Sequence, residues 1–374
     1  MDRLLAWARR NQPTIIKLIR EFVECESPSD STADVRRFMN LLAAAAGDIA
    51  TCRITPEGAL IAQFRLPGRG KHGQVLALGH GDTVWPTGTL KSMPFRRADG
   101  RLWGPGVLDM KSGLAFFLFA MRALIELDVP VAHEVLMLVN PDEETGSRRS
   151  RGITESLAAK SNAVLVLEPG TGLEGNVKTA RKGIGDFHLT VRGVASHAGV
   201  DFEKGASAVL ELAKQIAVVA GFTDLARGVT VNPGVISGGT RSNVIAAEAS
   251  AHIDIRVPAA PDGRALERKF RALKPFDKRC RLEVTGGLNR PPMERTKGVA
   301  TLFLRAQRLA AEIGVDLAES STGGGSDGNF TAALGIPTLD GIGAVGEGAH
   351  AAHESILIDR IADRVALLAK LVSC

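Results

Sequence analysis

Three short apolar runs each end in side chains able to bind a metal. Gln74–Leu78 leads into GHGDT, with His80 and Asp82. Glu134–Val139 leads into NPDEETGS, with Glu143 and Glu144, and Ala163–Leu167 leads directly to Glu168. Asp109 in GPGVLDMKSG and His353 in GAHAAHESI complete a set with His80, Glu144 and Glu168. His350 and His353 both stand in that last segment, and spacing alone does not choose between them. Taken singly, His80 with Asp82 reads as a local hydrogen bond, the Glu pair as a solvent-facing pair and Asp109 as a turn residue. Carboxylates gathered in one crevice, however, repel at a cost on the order of several kcal/mol unless a cation lies among them. Two imidazoles and three carboxylates suit Zn²⁺, with Co²⁺ or Mn²⁺ as substitutes. Three carboxylate charges against two divalent ions leave about +1 for a hydroxide or a carbonyl oxygen. One carboxylate must then bridge, and the glycines around Asp109 single it out because they let backbone approach closely.

The elements that would carry these groups are legible in the pattern. The three apolar runs suit buried strands, and Met110–Leu127 between the first two is long enough for a helix. Strands alternating with helices predict an open α/β sheet, in which ligands bind beyond the carboxyl ends of the strands. Leu4 to Phe22 shows helical spacing, and Ser31 or Thr32 caps a second helix that stops at Gly47. The middle changes character. Asp186–Arg192 and Ala249–Val257 alternate, with helical patterns at Ala206–Val219 and Pro261–Leu273, which predicts a small α+β domain with one sheet face open. Helices resume at Val299–Ile313 and Ile361–Leu371. The expected organisation is a catalytic domain over 1–178 and 289–374, interrupted by an inserted domain over 179–288.

Composition narrows the function classes. Of 374 residues 45% are hydrophobic, and 41 Gly and 17 Pro are spread among apolar runs, which excludes a disordered chain. No apolar run approaches the roughly 20 residues of a membrane span. A net charge of +5 favours anionic small molecules or polyanions without choosing between them, while the absence of Tyr and of an aromatic-studded basic stripe argues against a single-strand nucleic-acid platform. Cys25, Cys52, Cys280 and Cys374 are too scattered for a thiolate zinc site. Gly104-x-Gly106 lacks the third glycine of a dinucleotide fingerprint. The amphipathic first segment does not read as a signal peptide, so the cytoplasm is the expected compartment.

GHGDTVWP, GPGVLDMKSG, NPDEETGS, LEPG, GVASHAGV, GGTRSNVI and TGGGSD…HAAHES together resemble the co-catalytic zinc exopeptidases. That family contains glutamate carboxypeptidase, acetylornithine deacetylase, succinyl-diaminopimelate desuccinylase and aminoacylase. The resemblance covers nearly the whole chain. ASHAG, LNRPP and TGGGSD are most similar to the glutamate carboxypeptidase branch. It implies a mostly parallel sheet with helices on both faces, an inserted ferredoxin-like lid domain, a homodimer built through that domain, and two Zn²⁺ per subunit. It implies His80, Asp109 and Glu168 around one ion and Asp109, Glu144 and His353 around the other. Glu143 corresponds to the general base and Asp82 to the residue that orients His80. His197 corresponds to an oxyanion donor reaching the partner subunit's site. Asn243, Arg290 and Gly325 match substrate-binding positions, Arg290 gripping a carboxylate. The implied activity is release of a C-terminal amino acid from a small peptide or N-acyl amino acid. The same machinery would serve a deacylase of the acetylornithine or succinyl-diaminopimelate type. A metal-binding dimer without catalysis is a more distant reading, and the retained Glu143 speaks against it. The sequence departs from the pattern at Ser112 and Ala246. It departs also at Asn176, where the glutamate branch has a basic residue; here Lys178, Arg181 and Lys182 lie further on.

Overall fold

Four of the short apolar segments form the parallel centre of an eight-stranded sheet. They are β3 (Gln74–His80), β6 (Glu134–Asn140), β7 (Ala163–Val166) and β14 (Thr338–Asp340). β1 (Ala50–Ile54), β2 (Leu60–Phe64), β8 (Val177–Arg181) and β13 (Glu319–Thr322) extend it, in the order β1-β2-β6-β3-β7-β14-β8-β13. The β1–β2, β2–β6 and β14–β8 pairings are antiparallel. This computed structural model describes residues 2–373; Cys374 lies outside them, and Cys25, Cys52 and Cys280 are free thiols.

Both faces of the sheet are buried, which is why its central strands read as unbroken apolar runs. Along β3, Val75 and Ala77 join one core cluster, while Leu76 and Leu78 join another on the opposite face. The first cluster includes residues of α1 (Arg3–Glu24), α2 (Thr32–Ala46), α3 (Ser112–Glu126), α7 (Lys297–Ala311) and α9 (Ile361–Ser373). α4 (Arg151–Ala158) brings Ala158 to the second, and α8 (Gly328–Ala333) lies beside it with the Phe330 ring 4.7 Å from the Arg151 guanidinium. Ser31 caps α2 by accepting from the Asp34 amide. Apolar nearly all round, α3 is fitted for an interior helix. Its second residue must be glycine. A Cβ at Gly113 would lie 2.1 Å from the Leu167 carbonyl oxygen, so the missing side chain lets the start of α3 meet the end of β7. A small sheet of β4 (Arg96–Ala98), β5 (Arg101–Trp103), β15 (Gly346–Glu347) and β16 (Ser355–Leu357) completes this unit.

The smaller unit comprises Arg181–Glu294 with Gly323–Gly325; the larger takes the chain up to Ala180, then Arg295–Thr322 and the segment from Ser326 onward. In the smaller unit β9 (Gly183–Arg192), α5 (Ala208–Ala220), β10 (Thr230–Gly238), β11 (Glu248–Val257), α6 (Ala260–Arg271) and β12 (Arg281–Arg290) follow one another. The antiparallel order β10-β11-β9-β12 makes this βαββαβ unit ferredoxin-like. Phe187, Leu189 and Val191 of β9 are buried, and Phe187 stacks on Phe270 of α6 at a centroid distance of 3.9 Å. Asp186, His188 and Thr190 occupy the alternate positions, the open face that the alternating pattern predicted.

Candidate metal centre and substrate-binding residues

The carboxyl edge of the parallel sheet gathers the acids and imidazoles. His80 is the last residue of β3, Glu168 stands just past β7, and Glu143 and Glu144 form a tight turn after β6. Asp109 lies in the irregular segment Val107–Lys111 leading into α3. Two groups of potential ligands result, His80–Asp109–Glu168 and Asp109–Glu144–His350, each with its ligand atoms within 4.8 Å of one another. Asp109 is common to both. Its Oδ1 is 3.1 Å from His80 Nε2 and its Oδ2 is 3.3 Å from His350 Nε2. Glu168 Oε1 lies 3.5 Å from His80 Nε2, and Glu144 Oε2 lies 3.3 Å from His350 Nε2.

The second imidazole is therefore His350 and not His353. Gly348 and His350 both adopt left-handed backbone, with φ of 84° and 62°, and this turn brings the His350 ring to Asp109 and Glu144. His353 is exposed and folds back on Gly348, where a Cβ would lie 2.8 Å from its Cδ2.

The donor set fits a pair of cations. His80 Nδ1 lies 2.9 Å from the main-chain carbonyl of Asp82, which can only accept. In the neutral ring the Nε2 lone pair then faces carboxylate oxygens, acceptor against acceptor, and only a proton or a metal resolves that. Burial opposes charging His80, but Asp109, Asp82 and Glu168 hold its pKa well above the ordinary imidazole value. Asp109 and Glu144 push His350 up to about 10. Burial raises Asp109, but the two imidazoles outweigh it and hold its pKa far below the usual carboxylate range. Burial raises Glu144, whose Oε1 is out of water and has no hydrogen-bond partner.

Around this cluster the sequence reading identifies less. Asp82 touches His80 chiefly through its carbonyl, with its carboxylate Oδ1 3.4 Å from Nδ1. That carboxylate accepts from the Glu143 and Glu144 amides and the Ser29 hydroxyl, so it fixes the turn bearing both glutamates. Glu143 belongs to neither ligand group. Lys111, buried and lowered by burial to about 8, donates to the Cys25 carbonyl at 2.7 Å. Glu354 is fully buried, and nothing in the spacing around it marks it as an internal acid. Lys178 donates to the Pro169 carbonyl and is thus engaged by the loop after Glu168.

In the smaller unit, His197 Nδ1 accepts from the Gly199 and Val200 amides at 3.1 and 3.2 Å, so the neutral ring carries its proton on Nε2. The Asn243 carbonyl accepts from the Ala198 amide, which ties the two segments together. Arg290, buried, ends β12 beside Gly325, where a Cβ would lie 2.9 Å from the Arg290 Cδ. Arg181 donates to the Gly324 and Gly325 carbonyls.

Residues 76–373 match peptidase family M20/M25/M40. The chain belongs to this family. It is similar to carboxypeptidase G2 of Pseudomonas sp. (strain RS-16), 29% identical over 98% of this chain and 90% of that protein. It is 30% identical to the succinyl-diaminopimelate desuccinylase of Dechloromonas aromatica (strain RCB), over 76% of this chain and 78% of the relative. The solved structure of Bacillus subtilis YxeP, described as a dinuclear metal binding peptidase from the M20 family, superimposes with a TM-score of 0.70 at 14% identity. The match covers 98% of this chain and 99% of that one. This M20 chain is a metal-dependent hydrolase of the peptidase and amidohydrolase type, with candidate ligands for a metal pair. No described helix is long and apolar enough to cross a membrane.

Proposed function

We infer that this chain is a dinuclear zinc carboxypeptidase that releases a C-terminal amino acid of glutamate type from a small peptide or N-acyl amino acid. The observation that carries the reading is Asp109, whose two oxygens face two different imidazoles. His80, Asp109 and Glu168 would hold one Zn²⁺, and Asp109, Glu144 and His350 the other, with Co²⁺ or Mn²⁺ as replacements. When bound, the pair supplies Lewis acidity and brings the pKa of water towards neutrality. Glu143, a member of neither ligand group, would take a proton from the attacking water and return it to the leaving amine. The Asp82 carboxylate holds the Glu143 amide, which fixes where that base stands. His197, with its proton on Nε2, has the polarity to stabilise an oxyanion, in the role of a residue lent to the partner subunit. Arg290 supplies a fork for a free carboxylate, with Asn243 and Gly325 completing the substrate contacts.

A homodimer through the smaller unit is supported by its edge strand β10 and by α5, which expose Val235, Ile236, Val209 and Leu210. The similarity to carboxypeptidase G2 along almost the full chain favours a peptidase, and the desuccinylase relatives support N-acyl-amino-acid hydrolysis as the second reading. A panel of N-acyl glutamates, dipeptides and acetylornithine, with added Zn²⁺, Co²⁺ or Mn²⁺ and a chelator control, tests this. Turnover of N-acyl glutamates that the chelator abolishes is expected; turnover confined to acetylornithine would replace the carboxypeptidase reading with the second one.

A further inference from the structure

Three ligand-bearing segments converge on one buried carboxylate. Glu354 Oε1 accepts from the amides of Leu108 at 2.8 Å and Asp109 at 3.0 Å. Its Oε2 accepts from the Gly106 amide at 2.9 Å and from Trp85 Nε1 at 2.8 Å. Each oxygen therefore takes two N–H donors. Trp85 belongs to the loop that follows His80 and Asp82, Gly106 to Asp109 form the approach to the bridging acid, and Glu354 itself lies on the segment that bears His350. The chain turns twice between Gly348 and Glu354, with Ala351 and Glu354 amides bonded to the Gly348 and Ala351 carbonyls.

We propose that Glu354 is a positioning residue that locks the His80 loop, the Asp109 segment and the His350 turn into one metal-binding arrangement. The proposal rests on the metal-pair reading given above. Backbone in the Asp109 segment is irregular, with φ of −115° at Asp109 and −134° at Met110, so no regular helix fixes that carboxylate. The amides that a helix would use internally are instead spent on Glu354, and the direction of the Asp109 side chain follows from them. Outer partners of this kind set ligand orientation, and their loss commonly costs roughly 10–100-fold in metal affinity. A glutamine fits the same space but offers one acceptor oxygen, so two of the four donors lose their partner whichever way the amide is turned.

Calorimetric titration of metal-free protein with Zn²⁺, alongside the visible absorption of the Co²⁺ form, reads the effect. Wild type should take up two ions, and Glu354→Gln should bind them roughly 10–100-fold more weakly with an altered Co²⁺ spectrum. A folded Glu354→Gln protein with both affinities within about twofold of wild type and an unchanged spectrum would overturn the proposal alone. Wild type that binds neither ion would overturn the metal reading and this proposal with it. Trp85→Phe leaves the carboxylate in place and removes one donor, so it carries the test if Glu354→Gln does not fold. A weakening of a few-fold supports the proposal, and wild-type affinity counts against it.

Discussion

Glu144 in the larger unit and Glu211 in the smaller are both carboxylates withdrawn from water, and the protein treats them in opposite ways. Glu211, 2% exposed, accepts from the Phe276 and Asp277 amides at 3.0 Å each and from Gln215 Nε2 at 2.8 Å. Although burial works the other way, those donors bring its pKa below the usual glutamate value. Glu144 has one oxygen without any partner and the other aimed at His350, and burial raises its pKa. A carboxylate kept for the fold is saturated with donors, because an unpaired buried acceptor is costly. One kept for a ligand is left short. Glu354 lies next to the ligands yet belongs with Glu211 by this criterion, which is why it is a support and not a ligand.

The contrast can be broken most forcefully at Glu143. Glu143→Gln should lower kcat by roughly 10²–10⁴ while the protein keeps its metal content; turnover near the wild-type rate would remove Glu143 as the base. Next come the two histidines. His350→Ala should lose one ion on dialysis, with affinity falling by more than the roughly 10–100-fold typical of an outer partner, whereas His353→Ala should retain both. Metal analysis of the dialysed proteins decides, and the opposite pattern would restore His353 as the ligand.

Smaller effects sharpen the other side. Glu211→Gln should leave metal binding untouched and cost about 1–3 kcal/mol of stability in denaturant unfolding, since charged acceptors are worth about that much. The pH dependence follows from the depressed pKa of Glu211. Its contribution is fully present above the unfolded value of about 4.3 and is lost as pH falls through the lower folded value. Unfolding midpoints measured from about pH 6 to pH 3 should therefore drop more for wild type than for Glu211→Gln. Equal slopes would show that Glu211 is no tighter a carboxylate than a free one.

What the chain states outright is local. The apolar runs at Gln74, Glu134 and Ala163, the buried helix after Asp109 and the alternation of β9 and β11 are each a pattern of neighbours, and each is found in place. So are the strand-end acids, because a strand and the residue after it cannot be far apart. β1, β2 and the β4–β5 hairpin were less legible, since each is only three to five residues long and β1, β4 and β5 carry polar or basic side chains. Tertiary structure alone decided between His350 and His353, because separation along a chain does not record which way a left-handed turn sends a ring. It also decided what Asp82 and Glu354 do. Most of their partners are backbone amides, which every residue but proline possesses and no side-chain motif announces, so only the folded path of the chain could bring donor and acceptor together.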